Sequence, residues 1–142
     1  MMIMLNQITP GPEDIPALLQ CFSAAMLAIL FLQSGLDKVL NYSGNKEWLT
    51  AHFAKSPLKG TVPMLLPLIT LFELASGALS AVGAIMVLTG GDLRFGLWGA
   101  SLAGLSILQL FFGQRLAQDY EGAANLVPYF ILSMAAIWAF SL

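Results

Sequence analysis

The segment covering residues 65–88 most constrains what this chain can fold into. It is apolar, long enough to cross a bilayer, and carries a single charged residue, Glu73. A carboxylate at membrane depth costs about 2.5–3.5 kcal/mol on insertion scales, so we expect Glu73 to be neutralised, paired or used. Gly77, Ser80 and Ala81 follow it at helical spacing and place it on a stripe of small residues. Membrane helices pack closely along such stripes, which predicts that Glu73 faces the interior of a bundle.

The composition indicates an integral membrane protein. Hydrophobic residues make up 58% of the 142 residues and charged residues only 10%, whereas soluble domains carry about 25% charged residues. The mean hydropathy is +0.79. A net charge of −2 offers no basic surface for nucleic acid, and the length predicts one domain, residues 1–142.

Apolar runs predict four membrane spans, at about residues 15–36, 62–88, 93–112 and 126–142. Short connections between them predict an all-α, up-down-up-down four-helix bundle. Between the first two spans, residues 46–54 favour a short helix that lies flat in the membrane interface. The alternative is a solvated loop with Trp48 at the level of the lipid headgroups.

Basic residues are concentrated at one end of this bundle. At the other end, Arg94 at the start of span three is the one basic residue. The ends and connections of spans one and three carry the other basic residues, Lys38, Lys46, Lys55, Lys59 and Arg115. The positive-inside rule then predicts that connections one and three are cytoplasmic and that both termini lie outside.

Two short motifs resemble the DoxX-like family of small four-helix membrane proteins. Members carry a glycine and a lysine at the end of the first helix, and a glutamate followed by spaced glycines in the second. The matching residues here are Ser34, Gly35, Lys38, Glu73, Gly77 and Gly83. The chain departs from a common form of the pattern because it lacks an arginine at the start of the first helix. The resemblance implies a bundle in the bacterial inner membrane. It also implies an accessory role in redox or thiol homeostasis, since the family takes its name from a membrane subunit associated with thiosulfate:quinone oxidation.

Polar residues cluster toward the end that carries the basic connections. We expect a small polar pocket there, with Glu73 at its floor and Lys38 as its partner in a hypothetical catalytic, proton-handling pair. Burial favours the neutral carboxyl and a nearby cation favours the charged one, so a carboxyl balanced between them can accept and release a proton. The structural alternative is that Glu73 only fixes the packing. The residues predicted to bind a substrate in this pocket are Gln33, Asp37, Gln109, Arg115 and Tyr129.

The third span has a packing face of its own. Gly96, Ala100 and Gly104 form two overlapping small-xxx-small repeats. Together with Gly77 they are predicted packing residues, and spare faces of this kind could dock a partner membrane protein or a second copy.

These features leave three functions open. The first is an accessory or structural subunit of a larger membrane complex, respiratory or redox-linked. The second is an oxidoreductase subunit that handles quinone through Glu73 with Lys38 or Arg115, and the third is a small transporter or proton pathway. Because the chain has one cysteine and one histidine, we expect no metal site. Quinone is the one cofactor candidate, and we do not expect the chain to be an enzyme on its own.

Overall fold

A computed structural model describes residues 10–142, and the first nine residues of the predicted domain lie outside the described range. A single 3-10 turn at Pro12–Asp14 precedes five α-helices. They are α1 (Ile15–Leu40), α2 (Tyr42–His52), α3 (Val62–Thr89), α4 (Arg94–Leu116) and α5 (Tyr120–Ala139). Four of them, all but α2, are long and apolar enough to cross a membrane. The predicted all-α fold is therefore confirmed.

Contacts between glycines and large side chains define how the helices pair. A Cβ added at Gly35 would lie 2.7 Å from Leu74 Cδ2, and one added at Gly77 would lie 2.8 Å from the Leu32 backbone nitrogen. Residue numbers rise on α1 as they fall on α3, so the two helices are antiparallel. The same relation holds between α3 and α4 and between α4 and α5. The α5 helix also contacts α1, which closes the up-down-up-down ring.

The predicted packing face of α4 is used inside this ring. Gly83 of α3 packs directly against the Gly96 backbone, Ala100 is buried, and Met134 of α5 lies over Gly104. Each helix of a four-helix ring contacts two neighbours, and α4 meets both of its neighbours through small residues. These residues are therefore packing residues of the bundle itself, as is Gly77. That spare faces of the chain dock a partner membrane protein or a second copy stays a prediction.

The span boundaries differ from the predicted ones where a cap decides them. We predicted that the fourth span begins at residue 126, but α5 begins at Tyr120 because the Asp119 side chain accepts a hydrogen bond from the Gly122 backbone N–H at 2.9 Å. Pro128 consequently lies inside α5 rather than in its first turn. The α4 helix likewise runs to Leu116, past the predicted end at residue 112.

The α1 helix ends short of the level at which α3 begins. From the pairing of Gly35 with Leu74, Leu40 is roughly level with Ile69, which is about seven residues, or ~10 Å, inside the start of α3. The α2 helix and residues 53–61 fold over this step. The helix predicted at residues 46–54 exists, but it spans residues 42–52. Its position flat in the interface stays a prediction, and the outward-facing Trp48 fits it.

Candidate functional site

A buried ion pair joins α1 to α3. Glu73 is 1% exposed, and its Oε2 and Oε1 atoms lie 3.0 and 3.3 Å from Lys38 Nζ. Ser34 completes the arrangement, because its Oγ donates to Glu73 Oε2 at 3.1 Å and accepts from Lys38 Nζ at 2.9 Å. The prediction that Glu73 faces the interior and is paired is confirmed.

The sequence positions these three side chains through simple helical geometry. Ser34 and Lys38 are four residues apart, so they share one face of α1. Gly35 and Gly77 let α1 and α3 approach closely next to the pair, because side chains at these positions would clash with Leu74 and Leu32. Taking two charges out of water is costly, and it is offset only where geometry and additional hydrogen bonds are good. Ser34 supplies that additional bond.

A cavity of about 340 Å³ lies next to the ion pair, under α2 and between the start of α3 and the end of α4. Lys38 is on its wall, together with the amide side chains of Gln109 and Gln114. The remaining lining is apolar and comes from Leu49, Phe53, Leu58, Val62, Leu65, Leu66, Leu68, Ile69, Leu110, Phe112 and Gly113. Its size falls in the range of about 300–1,000 Å³ that is usual for small-molecule sites.

This cavity differs from the predicted one in two respects. It is mainly apolar rather than polar, and Glu73 does not line it. Lys38, whose side chain is 16% exposed, is the charged group that reaches it. Leu68 and Phe112 at its edge are exposed on the outer surface of α3 and α4. The cavity therefore opens toward the side of the bundle where lipid chains would lie.

Two of the predicted substrate-binding residues on α1 lie away from the cavity. Gln33 is exposed on the outer surface of the bundle, because five residues turn a helix about 140° beyond one full turn, away from the direction of Lys38. Asp37 is also exposed, and its Oδ2 accepts a hydrogen bond from Asn45 Nδ2 at 3.3 Å. Of the five residues predicted to bind a substrate, the structure brings only Gln109 to the cavity.

The other two predicted residues have different partners. The guanidinium carbon of Arg115 lies 4.4 Å from the centre of the Tyr120 ring, in a cation–π arrangement. Arg115 therefore is not the cation that pairs with Glu73. Tyr129 packs against the core cluster around Leu27 and Phe31. Because α5 starts early, Tyr129 is in the third turn of that helix rather than in its first turn.

Sequence reasoning missed the α2 side of the cavity. Leu49 and Phe53 are spaced as i and i+4, and this apolar pair is the signal that could have predicted a wall there. His52 connects α2 to α4 and to the start of α5. Its Nε2 lies 2.6 Å from Gln114 Oε1 and 3.6 Å from Asp119 Oδ2. The Trp48 ring stacks on the same imidazole, with 4.6 Å between ring centres.

Within residues 10–142, no group of three or more His, Cys, Asp or Glu side chains has an arrangement that could hold a metal ion. No family model, curated protein or solved structure matches this chain. The resemblance to DoxX-like proteins therefore depends on the motif residues alone. Those that meet at the contact between α1 and α3 are Ser34, Gly35, Lys38, Glu73 and Gly77.

Proposed function

We propose that this chain binds a lipid-soluble molecule with a carbonyl-bearing head group, of which quinones are the candidate class. The observation that carries the proposal is the Lys38 side chain on the wall of an otherwise largely apolar cavity. A site of this kind suits an amphipathic ligand, because the apolar walls accept the ring and tail while one polar group fixes the head.

Lys38 has the hydrogen-bonding capacity that this role needs. An ammonium carries three N–H donors. Ser34 Oγ takes one, and the Glu73 carboxylate takes a second when its two oxygens share it. The third donor is then free for a carbonyl oxygen in the cavity. An ammonium beside that oxygen also stabilises the negative charge that develops when a quinone is reduced.

Glu73 acts through Lys38 in this proposal. It does not line the cavity, so it is a positioning residue that holds the Lys38 ammonium in place. In place of the predicted proton-handling pair, we therefore propose one residue that contacts the ligand, Lys38, and one that positions it, Glu73. Lys38 contacts the ligand, and Gln109 and Gln114 supply further polar groups on the opposite wall.

The test is quinone binding in lipid nanodiscs, followed by quenching of tryptophan fluorescence as a short-chain quinone is added. Leu65→Phe narrows the cavity without adding a fluorophore and should weaken saturable quenching. Lys38→Met combined with Glu73→Gln removes the ammonium without leaving a buried charge, and should weaken binding about tenfold or more, the loss of one charge-assisted hydrogen bond. Lys59→Met, at an exposed lysine, is the matched control. Equal quinone affinity in all four proteins would refute the proposal.

A role as an accessory subunit of a redox-linked membrane complex is compatible with such a cavity, and it stays our second proposal. Native purification in mild detergent, with mass spectrometry of co-purifying proteins and lipids, separates the two. A lone protein that carries quinone supports ligand binding by the chain itself. A partner set of fixed stoichiometry supports the accessory role.

A transport or proton-pathway function has less support. Lys38 and Glu73 form an ion pair with each other. In the part of the chain that the structure describes, no Asp, Glu, His, Lys or Arg side chain of the four long helices lies between this pair and Arg94 at the opposite end. Proton flux across the membrane of liposomes that contain this protein alone would support a transport or proton-pathway function.

We also propose that the chain lies in the bacterial cytoplasmic membrane with the α1–α3 and α4–α5 connections inside. The antiparallel ring puts both connections at one end, with the cluster of basic residues. A membrane-impermeant thiol reagent should label Lys59→Cys only after the cells are opened. Labelling in intact cells would indicate the opposite orientation.

A further inference from the structure

The outer surface of α1 carries one residue that lipid cannot satisfy. Exposed side chains recur along this face every three or four residues, and Phe22 and Ile29 are 70% and 72% exposed. All of them up to Leu36 are large and apolar except Gln33. The exposed apolar members are Ile15, Leu19, Phe22, Met26, Ile29 and Leu36.

Gln33 lies about 10 Å inside the end of α1, counted from Leu40. Its amide has two N–H donors and a carbonyl acceptor, and no side-chain hydrogen bond engages it within residues 10–142. Acyl chains offer neither donors nor acceptors, so a bare amide in contact with them is unfavourable. By contrast Ser101, an exposed hydroxyl on α4, bonds to its own helix at Leu97 O. A hydrogen-bonding partner for the Gln33 amide therefore has to come from outside this chain.

We propose that this face of α1 binds a second copy of the same chain. Two copies inserted in the same orientation are related by a two-fold axis along the membrane normal, so each α1 residue meets its own equivalent at the same depth. A primary amide is complementary to itself across such an axis, because each Gln33 donates to and accepts from the other. Polar side chains join membrane helices in this way.

The apolar residues of the face fit the same arrangement. Phe22, Met26, Ile29 and Gln33 alternate in steps of four and three, which is the spacing of a left-handed helix pair with interlocking side chains. Asp37, one turn beyond Gln33, would repel its equivalent and is held by Asn45 of α2 instead. The two α1 helices therefore contact each other from Phe22 to Leu36 and diverge toward α2.

Disulfide cross-linking in vesicles tests this arrangement. Cys21 is the only cysteine, so Cys21→Ala gives a background into which single cysteines are introduced. Ile29→Cys should form a covalent dimer on mild oxidation. Leu108→Cys, which is also exposed but lies on α4 across the ring, is the control and should not. Equal cross-linking at both positions would overturn the proposal, as would cross-linking of Ile29→Cys to a different protein.

The amide itself is tested in the same background. Gln33→Met should lower dimerisation about 3- to 30-fold, the range that corresponds to measured hydrogen bonds between membrane helices, whereas Gln33→Asn should retain most of it. Both variants should keep the folding stability and quinone affinity of the parent, since Gln33 contacts neither the core nor the cavity. A dimer unaffected by Gln33→Met, or a labelled parent chain that stays monomeric in vesicles by stepwise photobleaching, would refute it.

Discussion

Removing one partner of the Lys38–Glu73 pair should have a large and unequal effect on stability. Lys38→Met keeps the aliphatic stem but leaves a carboxylate that is 1% exposed with Ser34 as its hydrogen-bond donor. Breaking a buried pair from one side costs about 3–5 kcal/mol, and we expect the free energy of unfolding to fall by that amount. Glu73→Gln should cost less, about 1–3 kcal/mol, because its amide still forms hydrogen bonds. Lys38, being 16% exposed, can also extend toward the interface.

The double variant decides whether this reasoning holds. With both charges removed, no unpaired ion stays buried, so Lys38→Met/Glu73→Gln should lie within about 2 kcal/mol of the parent. The double-mutant cycle then gives a coupling energy of about 2 kcal/mol or more. The assay is reversible unfolding in lipid bicelles, followed by tryptophan fluorescence, with Lys59→Met as a control that should change stability by less than about 0.5 kcal/mol. Additive single effects, with a coupling below about 0.5 kcal/mol, would refute the buried pair.

Three further predictions concern the packing, the α2 helix and the opposite end of the bundle. Gly77→Ala should destabilise the bundle by about 1–3 kcal/mol because its new methyl group would meet the α1 backbone. Gly113→Ala should be neutral or stabilising in the same unfolding assay, because its new methyl group would lie 3.6 Å from the nearest atom, Cζ of Phe53. His52→Ala should raise hydrogen exchange in α2 about 3- to 10-fold through loss of its hydrogen bond to Gln114 of α4. Unchanged exchange would show that this bond does not hold the helix. The Arg94 guanidinium holds the pKa of the Asp92 carboxyl below its usual value, so this ion pair is present above that pKa and is lost as the pH falls through it. NMR titration should find a higher Asp92 pKa in Arg94→Gln.

The four long helices could be predicted because apolar runs of bilayer length carry their own signal. Their ends were less predictable, since a boundary depends on local caps. Asp119 looks like an ordinary loop acid in the sequence, yet its bond to the Gly122 N–H starts α5 six residues before the predicted span. The error then moved Pro128 and Tyr129 into the wrong turns of the helix.

The ion pair could be predicted in part, and the substrate-binding residues mostly could not. Glu73 had to find a partner, and Lys38 and Arg115 both lie toward the same end. The choice between them depended on rotation about the helix axes, which places Arg115 over Tyr120. Rotation also separates Gln33 from Lys38, although the two are close in sequence and in depth. Similar depth in the membrane is therefore insufficient to predict a shared site.

The cavity could not be predicted because it arises from a mismatch in length between helices that are distant in sequence. The α1 helix ends about two turns before the level at which α3 begins, and α2 with residues 53–61 closes over the step. Had α1 continued to the level of Val62, its side chains would have filled this space, and Lys38 would have been enclosed between α1 and α3. The early end of α1 thus leaves the Lys38 side chain partly accessible, while Gly35 and Gly77 let α1 and α3 approach closely beside it. A single step in helix length therefore creates both the apolar space and its polar contact point, and this combination is the basis of our proposal that the ligand has a polar head and an apolar body.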